Sequence, residues 1–222
     1  TLTRVTFSHP RRKGGLLHII KTNFFQYQSD SPELIRARLQ IFRSFVLPAM
    51  VHQTVQNFFW IVSVESDLSL PYRHELQAML APYPHFYLTN VTLHQKPAGG
   101  KDILTKLLQV ENDIDHAIFT GDTGLLFRHV QEYETCPVLE TRIDSDEALH
   151  VTFVEVLQVQ ALNVFTNGNN HESSSTVDWM YWCVQRAMEW QWFGPGSPSG
   201  LRDGVYLENS LDEHVCAIPA LT

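Results

Sequence analysis

The sequence predicts an α/β fold, a doubly wound and mostly parallel sheet flanked by helices, and three observations predict it. Strand-like and helix-like runs alternate in β-α-β-α-β order. The strand-like runs are apolar along nearly their whole length, as in parallel sheets covered on both faces. The 222 residues, 44% of them hydrophobic, also suffice for one α/β domain with a full core.

The elements follow in order. After a basic, solvated lead-in, "HPRRKGG", residues Leu16 to Phe25 form a mostly apolar run that predicts a buried first strand. In "SDSPELIRARLQIFRSFVLPAM", Asp30 or Ser31 caps a helix and Pro32 opens its first turn. Ile35, Leu39, Phe42 and Val46 stand at helical spacing, and Pro48 disturbs the end. "NFFWIVSVES" predicts a second strand, "LPYRHELQAMLAPYP" a short helix and "HFYLTNVTL" a third strand.

Further along, "KPAGGKD" reads as a loop and "ILTKLLQVEND" as a helix, while "HAIFTGDTGLLFRHVQEYE" fits strand and helix in different parts. Asp122 in its Gly-Asp-Thr-Gly segment reads as a turn residue. "CPVLETRID" predicts a strand, and "EALHVTFVEVLQVQAL" a helix with Leu149, Phe153, Val156 and Leu157 on one face. "STVDWMYWCVQRAMEWQWF" predicts an aromatic-rich amphipathic helix capped by Ser175 and Asp178. Its Trp179, Trp182, Trp190 and Trp192 would pack a core and leave one ring for an acceptor. "GPGSPSG" is a surface loop and "GVYLENS" a last strand or hairpin arm.

Composition excludes several function classes. Sixteen basic against 24 acidic residues leave a net charge of −8, so no basic surface offers itself to nucleic acid. Cys136, Cys183 and Cys216 are too scattered for a disulfide framework or a zinc motif. The longest apolar runs, such as Phe58 to Val62, fall far short of the roughly 20 residues that span a bilayer. The chain starts at Thr1 without a signal-like segment and ends on "AIPALT". A single domain over residues 1–222, incomplete at one or both ends, is the expectation. The location stays open between cytoplasmic and, with an anchor outside these residues, Golgi lumenal.

The chemistry concentrates in "LETRIDSDEAL", where Asp144 and Asp146 flank a serine between a predicted strand and a predicted helix. Carboxylates two residues apart on a bending backbone can converge on a hard cation such as Mn²⁺ or Mg²⁺, which takes phosphate oxygens as further ligands. Such a cation stabilises charge on a departing diphosphate. A capping or solvated turn is the plainer reading. An EF-hand starting at Asp144 fails, because Ala148 and Leu149 stand where an oxygen ligand and a glycine are required. An aspartyl phosphatase, with Asp144 as nucleophile and Asp146 as acid/base, stays open.

Taken in order, "LLHIIKTNFFQYQ", "ELIRARLQIFRSFVLPAMVHQTVQNFFWIVSVESDL", "LAPYPHFYLTN", "PVLETRIDSDEALHVTFVEVLQ" and "CAIPALT" resemble the segments of the rhamnosyltransferase family, from about residue 16 to the end. The resemblance implies a GT-A-like glycosyltransferase that moves a sugar, rhamnose among the candidates, from a nucleotide-diphosphate donor to a glycan, protein or small-molecule acceptor. It implies Mn²⁺ or Mg²⁺ held by Asp144 and Asp146, with His214 as a third ligand. It places Thr22 and Asn23 at the nucleotide base, Glu65 and Asp67 at the ribose or base edge, and Arg38 and Arg142 as nearby positive charge. An inverting transfer would further need a base, for which Asp203, Glu208 and Asp212 are candidates. The family pattern Leu-Asp-Ala-Asp-Asp is here Ile143-Asp144-Ser145-Asp146-Glu147, which keeps both ligand positions, and Ala220 stands where the family has glycine. A catalytically degenerate domain that keeps the fold as an interaction surface is the non-enzymatic alternative.

Overall fold

The computed structural model describes residues 15–24, 31–65, 68–90, 118–132, 137–167, 186–191 and 204–209. They fall in two compact units, one within Thr1–Ser175 and one within Thr176–Thr222.

The first unit is built on a four-stranded, all-parallel sheet of order β3-β2-β1-β4. Its strands are β1 (Leu17–Phe24), β2 (Phe59–Val64), β3 (Phe86–Thr89) and β4 (Val138–Arg142). β2 and β3 are buried at every position and β1 at all but one, as the unbroken apolar runs predict for strands covered on both sides.

One face carries Ile20, Phe24, Trp60, Val62, Phe86 and Leu88. It packs against α1 (Pro32–Ile41), a π-helical segment (Phe42–Val46), α2 (Leu47–Val51) and α3 (Leu70–Leu80). Ile35, Leu39, Phe42 and Val46 are all buried there, so the predicted helical stripe is the buried one. The π segment has a local cause. Pro48 has no N–H to donate and its ring crowds the carbonyl of Ser44, while the Leu47 N–H reaches back five residues to the Phe42 carbonyl. Phe42 stacks on Trp60 at 5.4 Å, which ties the widened turn to the sheet.

The opposite face carries Leu17, Ile19, Phe59, Ile61 and Tyr87, covered by Leu126 of α4 (Thr123–Glu132). The segment before α4 resolves the mixed expectation for residues 116–134. Ile118 bridges antiparallel to Thr89, and Gly121 turns the chain at φ +96°, where a Cβ would lie 2.6 Å from Tyr87 Cε1. Asp122 then caps α4 by accepting the Leu125 N–H at 2.9 Å.

Two helix expectations need correction. The helix after β4, α5 (Phe153–Asn167), begins six residues later than Glu147. Gln53, 101 residues upstream, sets that start: its Oε1 accepts the Val154 N–H at 3.1 Å and its Nε2 donates to the His150 carbonyl at 2.8 Å. The Thr54 N–H adds a backbone bond to the Val151 carbonyl, so residues 150 and 151 are held across the chain, and the His150 carbonyl takes only a turn bond from the Phe153 N–H. The buried face of α5 is Val154 and Ala161, whereas Val156 is half exposed and Leu149 precedes the helix.

The second correction falls in the other unit. Residues 186–191, expected within a helix, are β5 (Arg186–Gln191), paired antiparallel with β6 (Gly204–Asn209) from Arg186↔Asn209 to Gln191↔Gly204. Pairing with a β-prone partner satisfies the backbone across strands and overrides the helical spacing of the tryptophans. Trp190 is therefore a strand residue; Trp179, Trp182 and Trp192 lie outside the described residues, as do the expected helix at 103–113 and the "HPRRKGG" lead-in up to Gly14. The last strand is where the sequence places it.

Among the described residues, no helix is long and apolar enough to cross a membrane.

Candidate functional site

Strand order locates the site. From β1 the chain builds outward through β2 to β3, then returns to place β4 on the other side of β1. The carboxyl ends of β1 and β4 therefore flank a topological switch point, the crevice where open α/β sheets receive ligands. Lys21 pairs with Arg142 in the β1–β4 register, and the Ile143 N–H donates to the Lys21 carbonyl at 3.0 Å. Asp144 leaves the sheet immediately after that last rung.

The Asp-Ser-Asp segment is a tight turn with alternating exposure. Ile143 and Ser145 are buried, while Asp144 and Asp146 are exposed. Glu147 closes the turn: its N–H donates to the Asp144 carbonyl at 3.2 Å, and its carboxylate accepts the Asp144 N–H at 3.1 Å. Burial pushes the Glu147 carboxyl up; the Asp144 N–H opposes that shift, and the charges of Asp144 and Asp146 add to it. Three acidic groups thus share one electrostatic environment, and among the described residues neither aspartate is paired with a cation.

Two exposed carboxylates on one turn suit a hard divalent cation that completes its shell with water and ligand oxygens. Among the described residues, no group of three or more His, Cys, Asp or Glu side chains is assembled to hold a metal by itself. Asp144 and Asp146 are the two carboxylates that the turn exposes.

The other expected residues distribute unevenly. Asn23 is half buried near the end of β1, and Glu65 is half buried immediately past β2, so both lie at carboxyl ends of the sheet. Thr22 is buried, and its hydroxyl accepts the Trp60 indole N–H at 2.9 Å. Arg38 is half buried on α1, and Arg142 is the last residue of β4. Asp67, Asp203, Asp212 and His214 lie outside the described residues, and Glu208 is in β6 of the second unit.

Sequence reading missed three contributors. Lys21 and Glu140 form an ion pair of 2.6 Å between β1 and β4, and Arg142 Nε lies 3.6 Å from the same carboxylate oxygen. A lysine inside the apolar run "LHIIKTNF" was the available signal, since a buried lysine requires a partner. Gln53 is the third, because it anchors the far end of the turn that presents the aspartates.

Below the site, His18 Nδ1 accepts from Gln158 Nε2 at 3.1 Å, and the same Gln158 nitrogen donates to the Asn57 carbonyl at 2.8 Å. His18 Nε2 must then carry the proton and donate to Thr141 Oγ1 at 2.9 Å. This chain of bonds fastens α5 to β1 and β4 one residue before Arg142.

Residues 27–121 match the model of a family described as "Putative rhamnosyl transferase". The matched span holds α1, the π segment, α2, β2, α3 and β3, and it ends before β4. Of the segments that carry the resemblance, those around Asp144 and at the final "CAIPALT" fall outside it, as does "LLHIIKTNFFQYQ" up to Gln26. No curated protein and no solved structure matches the chain. With the parallel sheet flanked by helices, the match gives an α/β fold of the GT-A-like kind and supports a glycosyltransferase.

Proposed function

We propose that the protein is a metal-dependent glycosyltransferase that moves a sugar, rhamnose among the candidates, from a nucleotide-diphosphate donor to an acceptor hydroxyl. The observation that carries this reading is the emergence of the Asp144–Asp146 turn at the switch point between β1 and β4, in a chain with a rhamnosyl transferase family match. Asp144 and Asp146 would hold Mn²⁺ or Mg²⁺, which when bound offsets the negative charge of the leaving diphosphate. Glu147 holds the turn's backbone, so both carboxylates keep one presentation.

Asn23 and Glu65, at neighbouring strand ends, are within the ridge that would meet the nucleoside, and Arg142 supplies positive charge beside it. His214 as a third metal ligand, Asp67 at the ribose, and Asp203, Glu208 or Asp212 as the base that activates the acceptor belong to the same proposal.

Thermal denaturation with Mn²⁺ and each of UDP, GDP and dTDP tests it. A nucleotide-dependent melting shift that Mn²⁺ enlarges is expected in the intact protein, and Asp144→Ala with Asp146→Ala should abolish the enlargement. Intact protein that gives no nucleotide-dependent shift with any of the three would refute the reading. Trapping of covalent phosphate on Asp144 would replace it with the phosphatase.

A further inference from the structure

The sheet face under α4 changes character along its length. Its amino half is apolar, with Leu17, Ile19, Phe59, Ile61, Tyr87 and Val138 around Leu126. Following the two-residue alternation of each strand, the next positions on that face are Lys21 and Asn23, Ser63, Thr89, and Glu140 and Arg142. Every one of these is polar or charged. The bonds bear out the shared face: Ser63 and Thr89 hydroxyls meet at 3.3 Å, and Lys21 reaches Glu140 diagonally across the β1–β4 seam.

The three charges are also graded in depth. Lys21 is 7% exposed, Glu140 14% and Arg142 41%, so the cluster runs from the sheet outward to the carboxyl edge. Both cations address the same oxygen, Glu140 Oε1, and the cluster carries one net positive charge. A buried ion pair is a poor way to gain stability, because desolvating two charges cancels most of their attraction. A purely structural role would be served as well by two apolar side chains. What the pair does is hold a carboxylate where it engages the Nε edge of Arg142. The contact that ties Arg142 to Glu140 runs through Nε, at 3.6 Å.

We propose that Lys21 and Glu140 are positioning residues for Arg142, and that Arg142 binds the diphosphate of the donor through its terminal nitrogens, independently of any metal. This deepens the glycosyltransferase reading in the identity of the ligand but not in the chemistry of the site, which is that of a forked guanidinium receiving phosphate oxygens. Lys21 fixes the Glu140 carboxylate, Glu140 orients the fork, and the fork presents two parallel donors at the mouth of the switch point.

Inorganic pyrophosphate separates this proposal from sugar transfer, since it needs neither nucleotide nor metal. Binding of pyrophosphate, and in parallel of UDP and uridine, is measured by titration calorimetry on the full chain in EDTA at fixed low salt. Pyrophosphate and UDP should bind and uridine should bind at least about tenfold more weakly. Arg142→Gln, at an exposed position, should weaken pyrophosphate at least about tenfold with an unchanged melting temperature. Lys21→Met with Glu140→Met should melt close to the wild type yet bind pyrophosphate several-fold more weakly, a loss a merely structural pair would not cause. If Arg142→Gln melts early, Arg142→Lys serves instead, because one ammonium cannot hold Glu140 and the ligand at once; it too should bind several-fold more weakly. Undetectable pyrophosphate binding by the wild type, or wild-type affinity in these variants, would overturn the proposal whatever the outcome with Mn²⁺ and nucleotides.

Discussion

Acidification should loosen the seam that supports the aspartate turn, and His18 allows the size of the effect to be worked out. His18 is 1% exposed, and burial lowers its pKa from 6.5 to about 3. The folded protein therefore keeps it neutral while the unfolded chain takes up a proton near pH 6.5. The stability associated with neutral His18 is intact above 6.5 and falls by about 1.4 kcal/mol per pH unit between 6.5 and 3. At about pH 5, some 1.5 units into that window, the loss is about 2 kcal/mol. His85, lowered to about 4 by burial, adds a similar loss at that pH and is left in place as an internal control. The perturbation is His18→Gln. Urea unfolding, followed by tryptophan fluorescence, gives the stability of both proteins at about pH 7.5 and about pH 5. The variant is expected to be less stable at the higher pH, since its bonds to Thr141 and Gln158 are disturbed. Between the two pH values, however, it should lose about 2 kcal/mol less than the wild type. Equal losses in the two proteins would refute the assignment of His18 as a buried neutral donor to Thr141.

Two further substitutions test how the turn and the sheet edge are held. Gln53→Ala strands the buried Val154 N–H and leaves the His150 carbonyl with only its bond from the Phe153 N–H, and should cost roughly 1–3 kcal/mol in urea unfolding. The same variant should be cleaved faster by protease within residues 144–152; an unchanged cleavage rate would mean that Gln53 does not anchor the turn. Gly121→Ala forces a Cβ onto the Tyr87 ring at a φ of +96°, and a fall of roughly 1–3 kcal/mol in stability is expected, read as a lower melting temperature.

What the sequence could and could not disclose follows from the range over which each feature is decided. β1 to β3 are written in local runs of apolar residues, and Pro48 announces a disturbed helix whose π form follows from a missing N–H nearby. The site is decided at longer range. The start of α5 depends on Gln53, 101 residues away, and β5 depends on β6, so local periodicity misjudges both. Asp144 and Asp146 are legible as a strand-end turn, but the crevice beside them exists only because β4 lies against β1. Even that pairing left one trace. A lysine in the apolar run of β1 must find a carboxylate on a neighbouring strand, because an unpaired ammonium buried in a sheet is not tolerated. Among the residues of β2, β3 and β4, only Glu140 is acidic. The predicted second strand, however, also carries Glu65. The charge out of place in the first strand therefore announces a buried partner, and only the β1–β4 pairing of the folded chain identifies it as Glu140, beside the switch point where Asp144 emerges.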